Sequence, residues 1–168
     1  MICIEGIDPG AHGAVSFIWP ETAQIAIYDL PTLTRFVSGN DRRYVDGVAL
    51  AELVRKHVPT YLYLEDVHAM PRDGIVGAFS FGENKGTIKG VHQALGIPFE
   101  QVPPQSWQAA MHCPADPKKA KARAALLFPS CIKYFTRADK DESAIIALYG
   151  VLHQGHRLSQ RVLTPIDI

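Results

Sequence analysis

The chain has 168 residues, 47% of them hydrophobic, and its 17 Lys and Arg balance its 17 Asp and Glu. That length fits one domain with a sizeable core, and no stretch nears the ~20 apolar residues of a membrane span. Zero net charge excludes a uniformly basic coat, so any binding of phosphate must come from a local cluster.

Ile2 to Ile7 is a short apolar run interrupted by Glu5 and closed by Asp8-Pro9-Gly10, which predicts a strand ending in a turn with Asp8 at its end. Gly13 to Trp19 is again β-rich, and Gln24 to Leu30 follows the turn at Pro20-Glu21, making an antiparallel meander of three strands. Tyr61 to Glu65 is apolar on both faces, as in a covered sheet, and its terminal carboxylate points out where α/β sites form. A loop follows, and Phe81, Ile88, Val91 and Leu95 predict an amphipathic helix from about Ser80. Its Gly82, Gly86 and Gly90 permit close packing, either on the protein's own sheet or across a symmetric dimer.

Trp107, after Pro103-Pro104-Gln105-Ser106, predicts a helix packed on the core, with the indole in a structural role. Lys118, Lys119, Lys121 and Arg123 crowd the opening turns of a further helix, where the macrodipole disfavours cations. Phosphate contact explains that placement, with a plain solvated face as the alternative. Arg42, Arg43, Arg72, Lys85 and Lys89 are weaker candidates for the same role. In the last helix, Asp139 and Glu142 stand three apart before an apolar face of Ala144, Ile145, Ala147, Leu148, Val151 and Leu152, so both carboxylates can turn to one cation. Asp141 falls on another face and reads as a first-turn acid favoured by the macrodipole. The expected domain is 1–153, with 154–168 a tail that carries Arg157 and Arg161 and is loose or lies along a partner.

Asp8, Glu65, Asp139 and Glu142 form a set with no paired His or Cys. Oxygen-only donors select Mg²⁺ or Mn²⁺, and two such ions about 3.5–4 Å apart can drive phosphodiester hydrolysis. His68, three residues after Glu65, reads as a loop residue, and Cys3, Cys113 and Cys131 as reduced thiols without zinc spacing. The glycine-rich nucleotide loop with its GK[ST] ending does not occur, which excludes ATP hydrolysis of that kind. Acidic Glu5 and Asp8 stand where a signal peptide would be basic, so a cytoplasmic location is expected.

The I-D-P-G opening, the later strand ending L-E and the D-x-x-E helix before an Ala/Ile run resemble the RNase H-like fold. Within it the chain is similar to RuvC-type Holliday junction resolvases of the compact bacteriophage-like branch, over about residues 2 to 152. F-S-F-G-E-N-K-G, L-G-I-P-F-E-Q-V-P-P-Q-S-W and K-K-A-K-A-R-A-A-L-L-F-P carry the likeness further.

The resemblance implies an α/β fold with a mixed five-stranded sheet, an antiparallel meander then parallel strands, flanked by helices. It implies paired, Mg²⁺-dependent cleavage of four-way DNA junctions by a homodimer joined through the 80–95 helix, leaving 5′-phosphate ends. Asp8, Glu65, Asp139 and Glu142 take the places of the metal ligands, although many members have Asp where Glu142 stands. Met70, Phe79 and Phe81 are apolar residues near the cleft, Phe79 being the expected contact with unpaired bases; Lys85 joins the basic cluster as a DNA contact. Another RNase H-like nuclease acting on flaps or RNA–DNA hybrids, and a non-catalytic junction-binding module, are the alternatives; sugar kinases and actin-like ATPases need a duplicated domain.

Overall fold

A computed structural model describes residues 1–10, 12–37, 39–68, 74–160 and 162–166, with the backbone alone at 117. Its centre is a mixed sheet in the order β7-β6-β1-β2-β3-β8. The strands are β1 (Ile4–Asp8), β2 (Ala14–Trp19), β3 (Gln24–Asp29), β6 (Tyr61–Glu65), β7 (Phe99–Val102) and β8 (Thr164–Pro165). The meander β1-β2-β3 is antiparallel, and β6 pairs parallel with both β1 and β7. Five strands meet the expectation, and β8 adds a sixth beside β3. The tail is therefore not loose where the backbone is described: Leu163 is buried in the core and Ile166 N–H donates to the Ile25 carbonyl.

A second, two-stranded ribbon, β4 (Thr32–Val37) with β5 (Asn40–Val45), stands off the sheet. Helix α1 (Gly47–His57) follows, capped by Asp46, whose carboxylate accepts from the Val48 and Ala49 amides. Helix α2 spans Gly74–Ala94 and starts about six residues before the expected Ser80, because Gly77 is carried inside the helix and not in a loop. Helices α3 (Pro104–Ala110), α4 (Pro117–Leu127) and α5 (Ala138–His153) complete the chain, with a short 3-10 turn at Pro129–Tyr134.

Strand alternation sorts the core into two layers. Ile4, Ile18, Tyr63 and Trp107 pack with α5, while Ile7, Phe17, Leu62, Leu64 and Ile88 pack with α1 and α2. With both faces covered, every residue of β1 is buried, Glu5 included. Helix α5 lies directly on β1 because residue 6 has no side chain: a Cβ at Gly6 would stand 2.8 Å from Ala147 Cα and closer still to the Ser143 carbonyl. The buried Ser16 and Ser143 hydroxyls, 2.8 Å apart, tie the same turn to β2. No helix among the described residues is long and apolar enough to cross a membrane.

Candidate metal centre

Asp8 and Glu65 end neighbouring parallel strands, and each shares its face with the residue two before it, Gly6 and Tyr63, on the α5 side of the sheet. The close crossing at Gly6 brings the first turns of α5 over those strand ends. One carboxylate oxygen from each of Asp8, Glu65 and Glu142 consequently lies within 4.8 Å of the other two. Three of the four expected ligands meet. Asp139, half-buried one turn earlier, adds no oxygen to that set, yet its charge contributes to raising the pKa values of Asp8 and Glu142.

The site costs energy to assemble. Burial first, then the charge of Glu65, holds the Asp8 pKa well above the usual carboxylate range. Burial, then Glu65 and Asp139, pushes Glu142 to about 7. Glu65 is raised by burial and lowered by a hydrogen bond from Trp107 and the charge of Lys85. An all-oxygen donor set with suppressed ionisation fits a hard divalent cation, whose charge would offset that repulsion.

The surrounding residues hold these carboxylates in place. Gly10 N–H donates to Asp8 Oδ1 at 2.9 Å, fixing the turn after β1. Trp107 Nε1 donates to Glu65 Oε1 at 3.1 Å from inside the core. The indole expected to be structural thus also aims a ligand, a role whose sequence signal is limited to its following a proline turn. Arg137 donates to the His12 carbonyl at 2.8 Å and pairs with Asp29, joining the loop after Asp8 to the start of α5.

Asp141, read from sequence as a first-turn acid on another face of α5, lies in α5's first turn as expected. It is buried, one of its oxygens has no hydrogen bond, and burial pushes its pKa to about 6.

Lys118, Lys119 and Lys121 are exposed on α4, which packs against α5, and Lys121 is close enough for its charge to act on Asp141. Arg123 is half-buried and donates to the Met111 carbonyl. Lys85, expected at the DNA surface, is buried instead, its ammonium donating to Asp66 and the Val67 carbonyl. Phe79 is 72% exposed on α2, whereas Phe81 is half-buried. His68 lies 3.7 Å from Asp66, and all three cysteines are buried and free. Met70, Arg72 and Arg161 lie outside the described residues.

No family model and no curated protein matches the sequence. Solved structures do. Thermus thermophilus RuvC in complex with Holliday junction substrate superposes with a TM-score of 0.62 at 13% identity, covering 92% of this chain and 96% of that one. Thermus thermophilus RuvC alone gives 0.57 at 13% identity, over 92% and 97% of the two chains. The yeast mitochondrial Holliday junction resolvase gives 0.53 at 14% identity, over 90% and 78%. The chain therefore has the RuvC variant of the RNase H-like fold.

Proposed function

We propose that the chain is a metal-dependent endonuclease that resolves four-way DNA junctions as a homodimer. One observation carries this reading: three carboxylate oxygens within 4.8 Å of one another at adjoining strand ends, on a fold shared with proteins described as junction resolvases. Two bound Mg²⁺ ions, with Mn²⁺ able to substitute, would supply Lewis acidity and a water acidic enough to attack a phosphodiester. Asp8, Glu65 and Glu142 hold the cations. Asp139, at the rim, accepts a proton from the attacking water and orients it. Trp107 keeps Glu65 turned to the site. Lys118, Lys119 and Lys121 draw the phosphate toward it, and attack of water on phosphorus with departure of the 3′-oxygen gives 5′-phosphate and 3′-hydroxyl ends.

The dimer is supported by the outward face of α2. A Cβ at Gly82, Gly86 or Gly90 would meet nothing within 4 Å, so these glycines are not spent on packing against the protein's own sheet. Ile75 and Phe79 are exposed on the same helix, 91% and 72%. A second copy across that face would give two metal centres related by a two-fold axis, as the symmetry of a four-way junction asks. Phe79 then stands near the branch, where an aromatic ring can stack on unpaired bases.

Cleavage of an immobile four-way junction, beside a matched duplex, a flap and an RNA–DNA hybrid, tests the reading in Mg²⁺ and in chelator. Paired symmetric nicks confined to the junction and requiring metal are expected. Cutting of the flap or hybrid alone would move the substrate, and tight junction binding without cleavage in any metal would leave a binding module.

A further inference from the structure

A cleft of about 540 Å³ opens between the β4–β5 ribbon and α2, lined among others by Pro9, His12, Arg42, Arg43, Phe81 and Asn84. Pro9 and His12 belong to the loop that leaves Asp8, so the cleft begins at the metal centre. The ribbon is anchored to α2 by specific polar contacts. Val45 N–H donates to Asn84 Oδ1 at 2.9 Å, Asn84 Nδ2 donates to the Arg43 carbonyl at 3.2 Å, and the Tyr44 and Ser80 hydroxyls lie 3.2 Å apart.

This anchored ribbon concentrates positive charge in a chain whose net charge is zero. Residues 32–45 contain three arginines against one aspartate. Arg35 and Arg42 sit directly opposite one another across the ladder, an arrangement that weakens a hairpin. Arg35 is paired with Glu83, but among the described residues Arg42 has no ion-pair partner and its Nε is buried without a hydrogen bond. Arg43 is exposed and donates to His12 Nδ1 at 2.9 Å, which leaves further guanidinium donors free to meet an anion. Like charges placed together, at a cost to the ribbon, along a cleft that starts at a metal centre, call for a polyanion that runs through it.

We infer that the β4–β5 ribbon and the facing turns of α2 form a clamp for the sugar–phosphate backbone of the strand passing the metal centre, with Arg42 and Arg43 each engaging a phosphate. This rests on the nuclease reading and extends it, adding a second phosphate track on the opposite side of the site from the α4 lysines. Phosphate contacts fix register without reading sequence, so the clamp sets where the strand lies relative to Asp8 and does not choose the base cut.

The test is the salt dependence of binding of a labelled four-way junction, measured by fluorescence anisotropy from 50 to 200 mM KCl in chelator. The Arg42→Gln/Arg43→Gln pair is compared with wild type, with Arg42→Lys/Arg43→Lys, and with Arg55→Gln on α1. Loss of two phosphate contacts lowers the magnitude of the log–log slope by about 1.8, so the affinity deficit of the Gln pair shrinks about tenfold across that range. The Lys pair keeps the wild-type slope because it keeps the charge, and Arg55→Gln is without effect. If the Gln pair does not fold, Arg43→Gln alone, at an exposed position, is expected to lower the slope by about 0.9. An unchanged slope in a folded variant, with wild type still cleaving junctions, overturns the clamp alone. So does an unchanged slope with altered sedimentation, which would make the ribbon a protein interface. Absence of any DNA binding by wild type overturns both the clamp and the nuclease reading.

Discussion

Glu142→Gln should make the metal-free protein more stable and the metal-loaded protein less so. Glu142 is half-buried among Asp8, Glu65 and Asp139, and its carboxyl, ordinarily near 4.5, is held at about 7. A displacement of that size corresponds to roughly 3 kcal/mol against the charged form, to be discounted because Glu142 also shares a hydrogen bond with Asp8. With the folded pKa above the unfolded one, the contribution of this group is whole below about 4.5 and is lost as pH rises through about 7. At pH 8 in chelator the isosteric amide removes the repulsion and should add about 1–3 kcal/mol, several degrees in Tm for a domain of this size. At pH 5, only just above the unfolded pKa, the difference should fall to roughly a quarter of that. Mg²⁺ at about a thousand times the wild-type Kd should reverse the order, because wild type then gains about 4.1 kcal/mol while the variant has lost a ligand. Thermal melts at pH 5 and pH 8, with chelator and with Mg²⁺, give all the comparisons. A variant less stable than wild type in chelator at pH 8, or one equally stabilised by Mg²⁺, would refute the assignment of Glu142 to a charge-strained cation site.

Trp107→Phe keeps a ring in the core but removes the donor to Glu65. Metal affinity, read from the Mg²⁺ concentration needed to raise Tm, should fall about 10- to 100-fold; an unchanged titration would make the indole purely a packing group. Glu5 and His92 are both fully buried on the α2 side of β1, with His92 Nδ1 donating to the Ile88 carbonyl and Nε2 sharing a proton with Glu5 at 2.9 Å. His92→Leu strands that carboxyl and should cost about 3–5 kcal/mol in urea unfolding, whereas Glu5→Gln, which can still donate to Nε2, should cost much less. Equal losses in the two would show that the shared proton does not matter. Gly86→Glu should leave Tm within about 2 °C of wild type, because nothing stands near its Cβ, and should turn a dimer into a monomer in sedimentation velocity; a persistent dimer would move the interface off α2.

The parts of this protein that sequence makes legible are those in which a local rule and a long-range consequence agree. Asp8 and Glu65 stand out because a strand that ends in a carboxylate has few packing reasons to do so, and the i, i+3 spacing of Asp139 and Glu142 puts them on one helix face whatever that helix packs against. Local spacing could not say which of that pair reaches the strand ends. The choice of Glu142 follows from the depth at which α5 crosses β1, set by the missing side chain at Gly6, more than 130 residues earlier. The same limit hid the donor from Trp107 to Glu65, 42 residues apart, and the burial of Lys85 against Asp66, 19 apart. Asp141 shows the converse failure. A first-turn acid satisfies the macrodipole rule wherever it points, so the rule gave no warning that Asp141 would be buried with one oxygen unpaired. The ribbon was missed for a different reason. Its strands bury little and carry arginines where a core-facing strand would carry aliphatics, so hydrophobic alternation passes over it, and that same departure from the core pattern marks it as a surface built to meet something charged.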